Sequence, residues 1–137
     1  IDVIATDHAP HTLDEKNNVY TKAPSGGPLV QHGLVAMLEA HHQGKISIEK
    51  IVEKMCHNPA ILFQVEKRGF IKKGYFADLA IFNPETIQDH ATFAEPHQLS
   101  TGMVHVFVNG EQVLKDGEHT GATPGKVVRG PGYNNKE

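Results

Sequence analysis

A single cysteine, Cys56, excludes an internal disulfide and fits a reducing compartment, so a cytoplasmic setting is expected. Basic residues are not in excess: 13 Lys and Arg against 16 Asp and Glu leave a formal net charge of -3, which argues against a nucleic-acid face. No apolar run approaches the roughly 20 residues that a membrane span needs, so no membrane partner is expected. The first residues do not form the basic and apolar regions of a secretory leader, and no internal repeat is visible. The rest is ordinary for a globular protein, with 39% apolar and 21% charged residues in 137. That length suits one domain or pieces of two.

Against this plain background one hexapeptide stands out, Thr6-Asp7-His8-Ala9-Pro10-His11. It follows the β-branched, apolar run Ile1-Asp2-Val3-Ile4-Ala5-Thr6, which reads as a buried strand. An acid at the carboxyl end of such a strand, with two histidines just beyond, sits where α/β barrels place their chemistry. The pattern predicts the last strand of a (β/α)8 TIM barrel whose other strands lie outside these residues. Pro10 disfavours helix at Ala9, so His8 and His11 lie on a turn and not on one helical ligand face. On a turn they suit substrate contact better than direct metal ligation. A carboxylate such as Asp7 can bind a divalent ion and take a proton from the water on it.

A polar stretch, 12–23, follows and ends in Pro24-Ser25-Gly26-Gly27-Pro28. Loops of such length usually do a job such as covering a site, and the glycines allow positive φ and close approach to a ligand. Alternatively Gly27 caps a helix with Pro28 at its first position. Apolar spacing predicts a helix from Pro28 to about Gln43, stopped at Gly44, and a second one capped by Ser47. On the latter, Ile48, Ile51, Val52, Met55 and Cys56 form one apolar stripe, which makes Cys56 a buried, inert thiol. Asn58-Pro59 reads as the cap and first turn of a short third helix over 60–64.

Beyond Glu66 the pattern turns extended. Gly69 to Gly74 is a short extended piece and Ala77 to Phe82 an apolar strand. Val104, Val106 and Val108 alternate before Asn109-Gly110, a strong hairpin signal because both residues of a type I′ turn need positive φ. The chain thus divides into 1–64, a barrel strand with loop and helices, and 65–137, part of a small β-sandwich with a tail from Gly121 that drapes over a surface.

The hexapeptide, with Glu15-Lys16 and Ala23-Pro24-Ser25-Gly26 beyond it, resembles the eighth-strand region of dihydroorotases, metal-dependent (β/α)8 barrels of the amidohydrolase superfamily. The resemblance continues through Val30-Gln31-His32, Cys56-His57-Asn58-Pro59, Arg68-Gly69-Phe70-Ile71 and Gly74 to Leu79. It implies that Asp7 is the metal-proximal acid, which deprotonates the attacking water and passes the proton to the leaving nitrogen. It also implies that His11 contacts the substrate's carboxylate or ring, and that Ser25 and Gly26 touch the ring through their backbone. The family usually carries a bulkier residue at Ser25, and His8 has no assigned role. The implied reaction is the reversible closure of N-carbamoyl-L-aspartate to L-dihydroorotate in pyrimidine biosynthesis. The implied cofactor is zinc, one or two divalent ions, bound here through Asp7 alone. The family's other ligands precede this strand, so the chain is expected to be inactive by itself and the complete protein a homo-oligomer. Dihydropyrimidinases, hydantoinases, allantoinases and D-aminoacylases share the same chemistry, and a non-catalytic dihydroorotase-like assembly subunit is the alternative of another class.

Overall fold

Ser47 starts a helix because its hydroxyl accepts the amide of Lys50 at 3.2 Å. In the computed structural model, which describes residues 1–133, that helix outruns its predicted end. It passes from α3 (Ile48–Val52) through a π-helical turn (Glu53–His57) into α4 (Asn58–Leu62) with no break. Asn58 is therefore no cap. Its backbone is helical (φ -62, ψ -43) and its amide donates to Glu53, five residues back. Pro59 explains the change of register. A proline ring inside a helix clashes with the carbonyl four residues earlier and supplies no N–H, and a π turn relieves the first problem. The second persists: in the π register the carbonyl of Lys54 would look to the nitrogen of Pro59, which carries no hydrogen. Its bond comes instead from the amide of Ile4, at 3.1 Å.

The other helices are α1 (Leu13–Lys16), a single turn, and α2 (His32–His42). Helix α2 begins four residues later than Pro28, so Gly27 and Pro28 neither cap nor open it. Residues 28–31 serve tertiary bonds instead: the amide of Val30 donates to His8, and Gln31 reaches Gln98 and Ser100 with its side chain.

The expected buried strand over residues 1–6 does not form. Ile1 is fully exposed, Val3 and Ile4 are half-buried, and no strand pairs with this segment among the described residues. An apolar strand of this kind needs neighbours on both edges and cover on both faces. Here its backbone contacts are to the helix, through Ile4 to Lys54 and from the side-chain amide of Asn58 to the carbonyl of Asp2 at 2.6 Å.

The later half carries a four-stranded antiparallel sheet in sequence order, β1 (Leu79–Phe82), β2 (Met103–Val108), β3 (Glu111–Lys115) and β4 (Glu118–His119). Asn109 (φ 51) and Gly110 (φ 85) form the predicted tight turn, with Val108 opposite Glu111. The stretch 69–74 is a loop and not an extended piece, with left-handed glycines at both ends. Arg68 binds this region together. Its guanidinium donates to Asp78 and, at 2.5 Å, to the side-chain oxygen of Asn109, while lying 4.3 Å over the Phe76 ring. Asn109 in turn donates to the carbonyl of Pro124 at 2.7 Å, which fastens the start of the tail to the hairpin. The last residues of the tail reading, 134–137, lie outside the described residues.

Helices and sheet share one core. Val35, Leu38 and Ile51 from the helices close on Ile87, which follows β1, and Phe82 and Met103 pack against the cluster. The stripe on α3 is only partly covered: Ile51 is buried and Met55 half-buried, but Val52 and Cys56 are exposed. Cys56 is thus not the core residue that helical spacing implies, although the atoms around its thiol still push its pKa up.

Candidate active site

The residues of the hexapeptide and of the Pro-Ser-Gly-Gly-Pro loop come together although up to some 20 positions separate them. The amide of Ala9 donates to the carbonyl of Gly27 at 3.0 Å, and the amide of Val30 donates to His8 Nδ1 at 3.1 Å. The latter bond requires an unprotonated Nδ1, so it also selects the tautomer with hydrogen on Nε2. Gly26 lies so close to Ala9 that a side chain there would meet Ala9 Cβ at 2.7 Å and its carbonyl oxygen at 2.9 Å. Its φ of +104 is one that L-residues rarely adopt. Gly26 has the expected positive φ, and what it closely approaches is Ala9 of the motif.

Asp7 sits at the head of this junction, exposed, with φ 49. Aspartate is among the residues that adopt this region most readily, and Gln64, Lys67, Asn109 and Asp116 share it, so the position of Asp7 at the junction and not its φ marks it out. Asp7 lies between two anchored amides, that of Ile4 bound to Lys54 and that of Ala9 bound to Gly27. Ser25 is exposed on the loop opposite. His11 stands 3.6 Å from Glu15, and Glu15 also accepts the amide of Thr12 at 2.8 Å while Thr12 caps the amide of Glu15. This reciprocal box fixes α1 right after the motif. The Thr12 amide and hydroxyl hold Glu15 below its ordinary pKa against an opposing desolvation, with His11 adding a lesser effect in the same direction.

Lys16 is a residue whose structural part sequence reasoning did not find. Its ammonium donates to the carbonyls of Pro24 at 2.7 Å and Gly26 at 2.5 Å, and so ties the far end of the loop back to α1. The only signal in the sequence was its place in the family resemblance; nothing local links a lysine to carbonyls eight and ten residues on.

Five of the other histidines serve elsewhere. His32 Nδ1 meets Asp89 at 2.5 Å, His41 binds the carbonyl of Ile46, His42 that of Pro84, and His90 the hydroxyl of Thr101. His57 stacks on Phe70 with centroids 4.3 Å apart. Burial raises the pKa of Asp89, but the bond from His32, the Ala91 amide and the charges of His32 and His90 outweigh it and leave the carboxyl below its usual range. Among the described residues no three His, Cys, Asp or Glu side chains gather as a metal-holding group. The described side chains do not by themselves fit a zinc centre.

The sequence profile of the amidohydrolase family matches residues 14–114, well over half of the chain. The chain belongs to the amidohydrolase family. Among similar amidohydrolases and relatives is a dihydroorotase of Halobacterium salinarum, 43% identical over 89 residues, which are 65% of this chain and 21% of that protein. A solved L-hydantoinase (dihydropyrimidinase) of Arthrobacter aurescens superposes with a TM-score of 0.69 at 28% identity, covering 87% of this chain and 30% of its own. An N-acyl-D-glutamate deacylase of Bordetella bronchiseptica, solved with zinc and a phosphonate mimic of the tetrahedral intermediate, is 35% identical with a TM-score of 0.52. It covers 55% of this chain and 16% of its own. The chain spans about a fifth of the length of the dihydroorotases it matches. The mixed helix-and-sheet architecture fits the hydantoinase likeness, and no helix is long and apolar enough to cross a membrane among the described residues.

Proposed function

We propose that this amidohydrolase chain is the acid–base-bearing C-terminal segment of a cyclic-amide hydrolase, and that the enzyme is a dihydroorotase. In this reading residues 1–64 supply the last strand of a TIM barrel with its loop and helices, and residues 65–137 part of the β-sandwich. The supporting observation is Asp7, exposed where the hexapeptide meets the Gly26 loop. In the hydrolytic direction water adds to the ring carbonyl, the ring C–N bond breaks, and N-carbamoyl-L-aspartate results. Asp7 takes the proton from that water and returns it to the leaving nitrogen. His11 faces the substrate's carboxylate, and Ser25 and Gly26 line the ring through their backbone.

Zinc is the metal proposed for the complete enzyme. Asp7 is the one ligand this chain would contribute, and the others would come from outside the 137 residues. Closure of N-carbamoyl-L-aspartate to dihydroorotate serves pyrimidine biosynthesis, with a cytoplasmic homo-oligomer as the working form.

The test compares the complete enzyme with its D7N variant on dihydroorotate, dihydrouracil and N-acyl-D-glutamate. Loss of an acid–base group lowers turnover about 10²- to 10⁴-fold, so D7N should lose that much on dihydroorotate, the preferred substrate. Unchanged turnover in D7N would overturn the role of Asp7. Preference for dihydrouracil would assign the site to the hydantoinase type, which the L-hydantoinase likeness over 87% of this chain favours as a second reading. Preference for N-acyl-D-glutamate would assign a deacylase.

A further inference from the structure

The helix that carries the π turn does more than fill space beneath the hexapeptide. Two of its groups bind the backbone of the segment leading to Asp7. The carbonyl of Lys54 accepts the amide of Ile4 at 3.1 Å, and the side-chain amide of Asn58 donates to the carbonyl of Asp2 at 2.6 Å. In extended backbone the carbonyl of residue 2 and the amide of residue 4 point to the same side, and a neighbouring parallel strand would engage both together. The helix thus imitates a strand edge, with one backbone acceptor and one side-chain donor. Thr6 completes the contact: its methyl lies against Gly33 of α2, where a Cβ would come within 2.5 Å of it.

A helix offers no free carbonyl in its middle under ordinary circumstances, because each accepts the amide four residues on. Lys54 is the exception created by its neighbours. The amide of Asn58 goes to Glu53, and the next nitrogen, that of Pro59, has no hydrogen. Asn58-Pro59 therefore does two linked things: proline frees the acceptor and asparagine supplies the donor.

We propose that Asn58 and Pro59 are positioning residues for Asp7, which hold residues 2–4 against the helix and so fix where the left-handed turn at Asp7 begins. The role is indirect, since neither residue reaches the reacting atoms, and its catalytic meaning rests on the assignment of Asp7 above. In P59A an amide becomes available to Lys54, either from residue 59 or, in a relaxed α register, from Asn58. In N58D the shape is kept but the donor is lost.

The test is amide hydrogen exchange on the 137-residue chain, read at Ile4, with Val106 and Leu114 of the sheet as references. Losing one such bond speeds local exchange about five- to tenfold, so P59A and N58D should each do this at Ile4 and leave the references unchanged. D7N should leave the protection of Ile4 as it is. Unchanged exchange at Ile4 in both variants would overturn the proposal, and so would equal acceleration at Ile4 and the references. A second readout, in the complete enzyme, separates positioning from packing. N58D should lower kcat with KM nearly constant, and N58Q, which keeps the donor, should recover part of the loss. If D7N leaves turnover intact while N58D still releases Ile4, the role of Asp7 fails and the anchoring stands.

Discussion

Replacing Gly26 by alanine should detach the loop from the hexapeptide. Two costs add. The backbone at φ +104 is strained for any L-residue, by about 1–3 kcal/mol. The new methyl would meet Ala9 Cβ at 2.7 Å and its carbonyl oxygen at 2.9 Å. The backbone can relieve that overlap only by drawing the two segments of the junction apart, which breaks the bond from the Ala9 amide to Gly27, worth about 1 kcal/mol. The sum is about 2–4 kcal/mol, so the open form of the junction should gain roughly 30- to 700-fold in population. Hydrogen exchange at the Ala9 amide reads this directly. The control is G27A, where the nearest contact of an added methyl is Leu29 at 3.5 Å and no positive φ is involved. Fast exchange in G26A with near-normal exchange in G27A is the expected pattern. Equal behaviour of the two variants would refute the steric argument.

Three further expectations follow from the same geometry. K16M removes two charge-assisted bonds to the carbonyls of Pro24 and Gly26, so protease cleavage within 17–25 should rise about tenfold or more while the hairpin stays resistant. R68M leaves Asp78 and Asn109 without their shared donor, at a cost of about 2–3 kcal/mol, read as a fall in Tm of roughly 10 °C. R68K should recover little, because an ammonium cannot serve two acceptors with the fixed fork of a guanidinium. Asp89 has a folded pKa below its ordinary value of 3.8, so its contribution to stability is present above that value and is lost as the pH falls through the depressed one. D89N should therefore flatten the acid limb of the Tm curve below about pH 4 and leave it parallel to the parent above about pH 5.

Elements specified by neighbours in sequence were legible from it. Ser47 announced its helix, Asn109-Gly110 its turn, and Pro24 to Pro28 a loop needing positive φ. Elements specified across the fold were not. The strand pattern over residues 1–6 is an instruction to pair, and pairing needs partners that a local pattern cannot supply. The π turn arises from Pro59 but is completed by Ile4, more than fifty residues earlier. Helical spacing assigned Cys56 to a buried face because spacing gives direction only, and cover depends on what packs there. Of the candidate site, Asp7, His11, Ser25 and Gly26 could be named from the sequence, and the structure joins the segments carrying them through Ala9, Gly27, His8 and Val30. Lys16, which closes the loop, and Asn58, which grips the approach to Asp7, act over distances that no residue spacing encodes.

Ile87 inserts among Val35, Leu38 and Ile51 although it arrives after the first strand of the sheet. The helices therefore wait for a plug made late in synthesis. Cutting the polypeptide between 64 and 79 should yield an N-terminal piece with an open socket, prone to clump, and mixing it with the excised remainder should restore solubility.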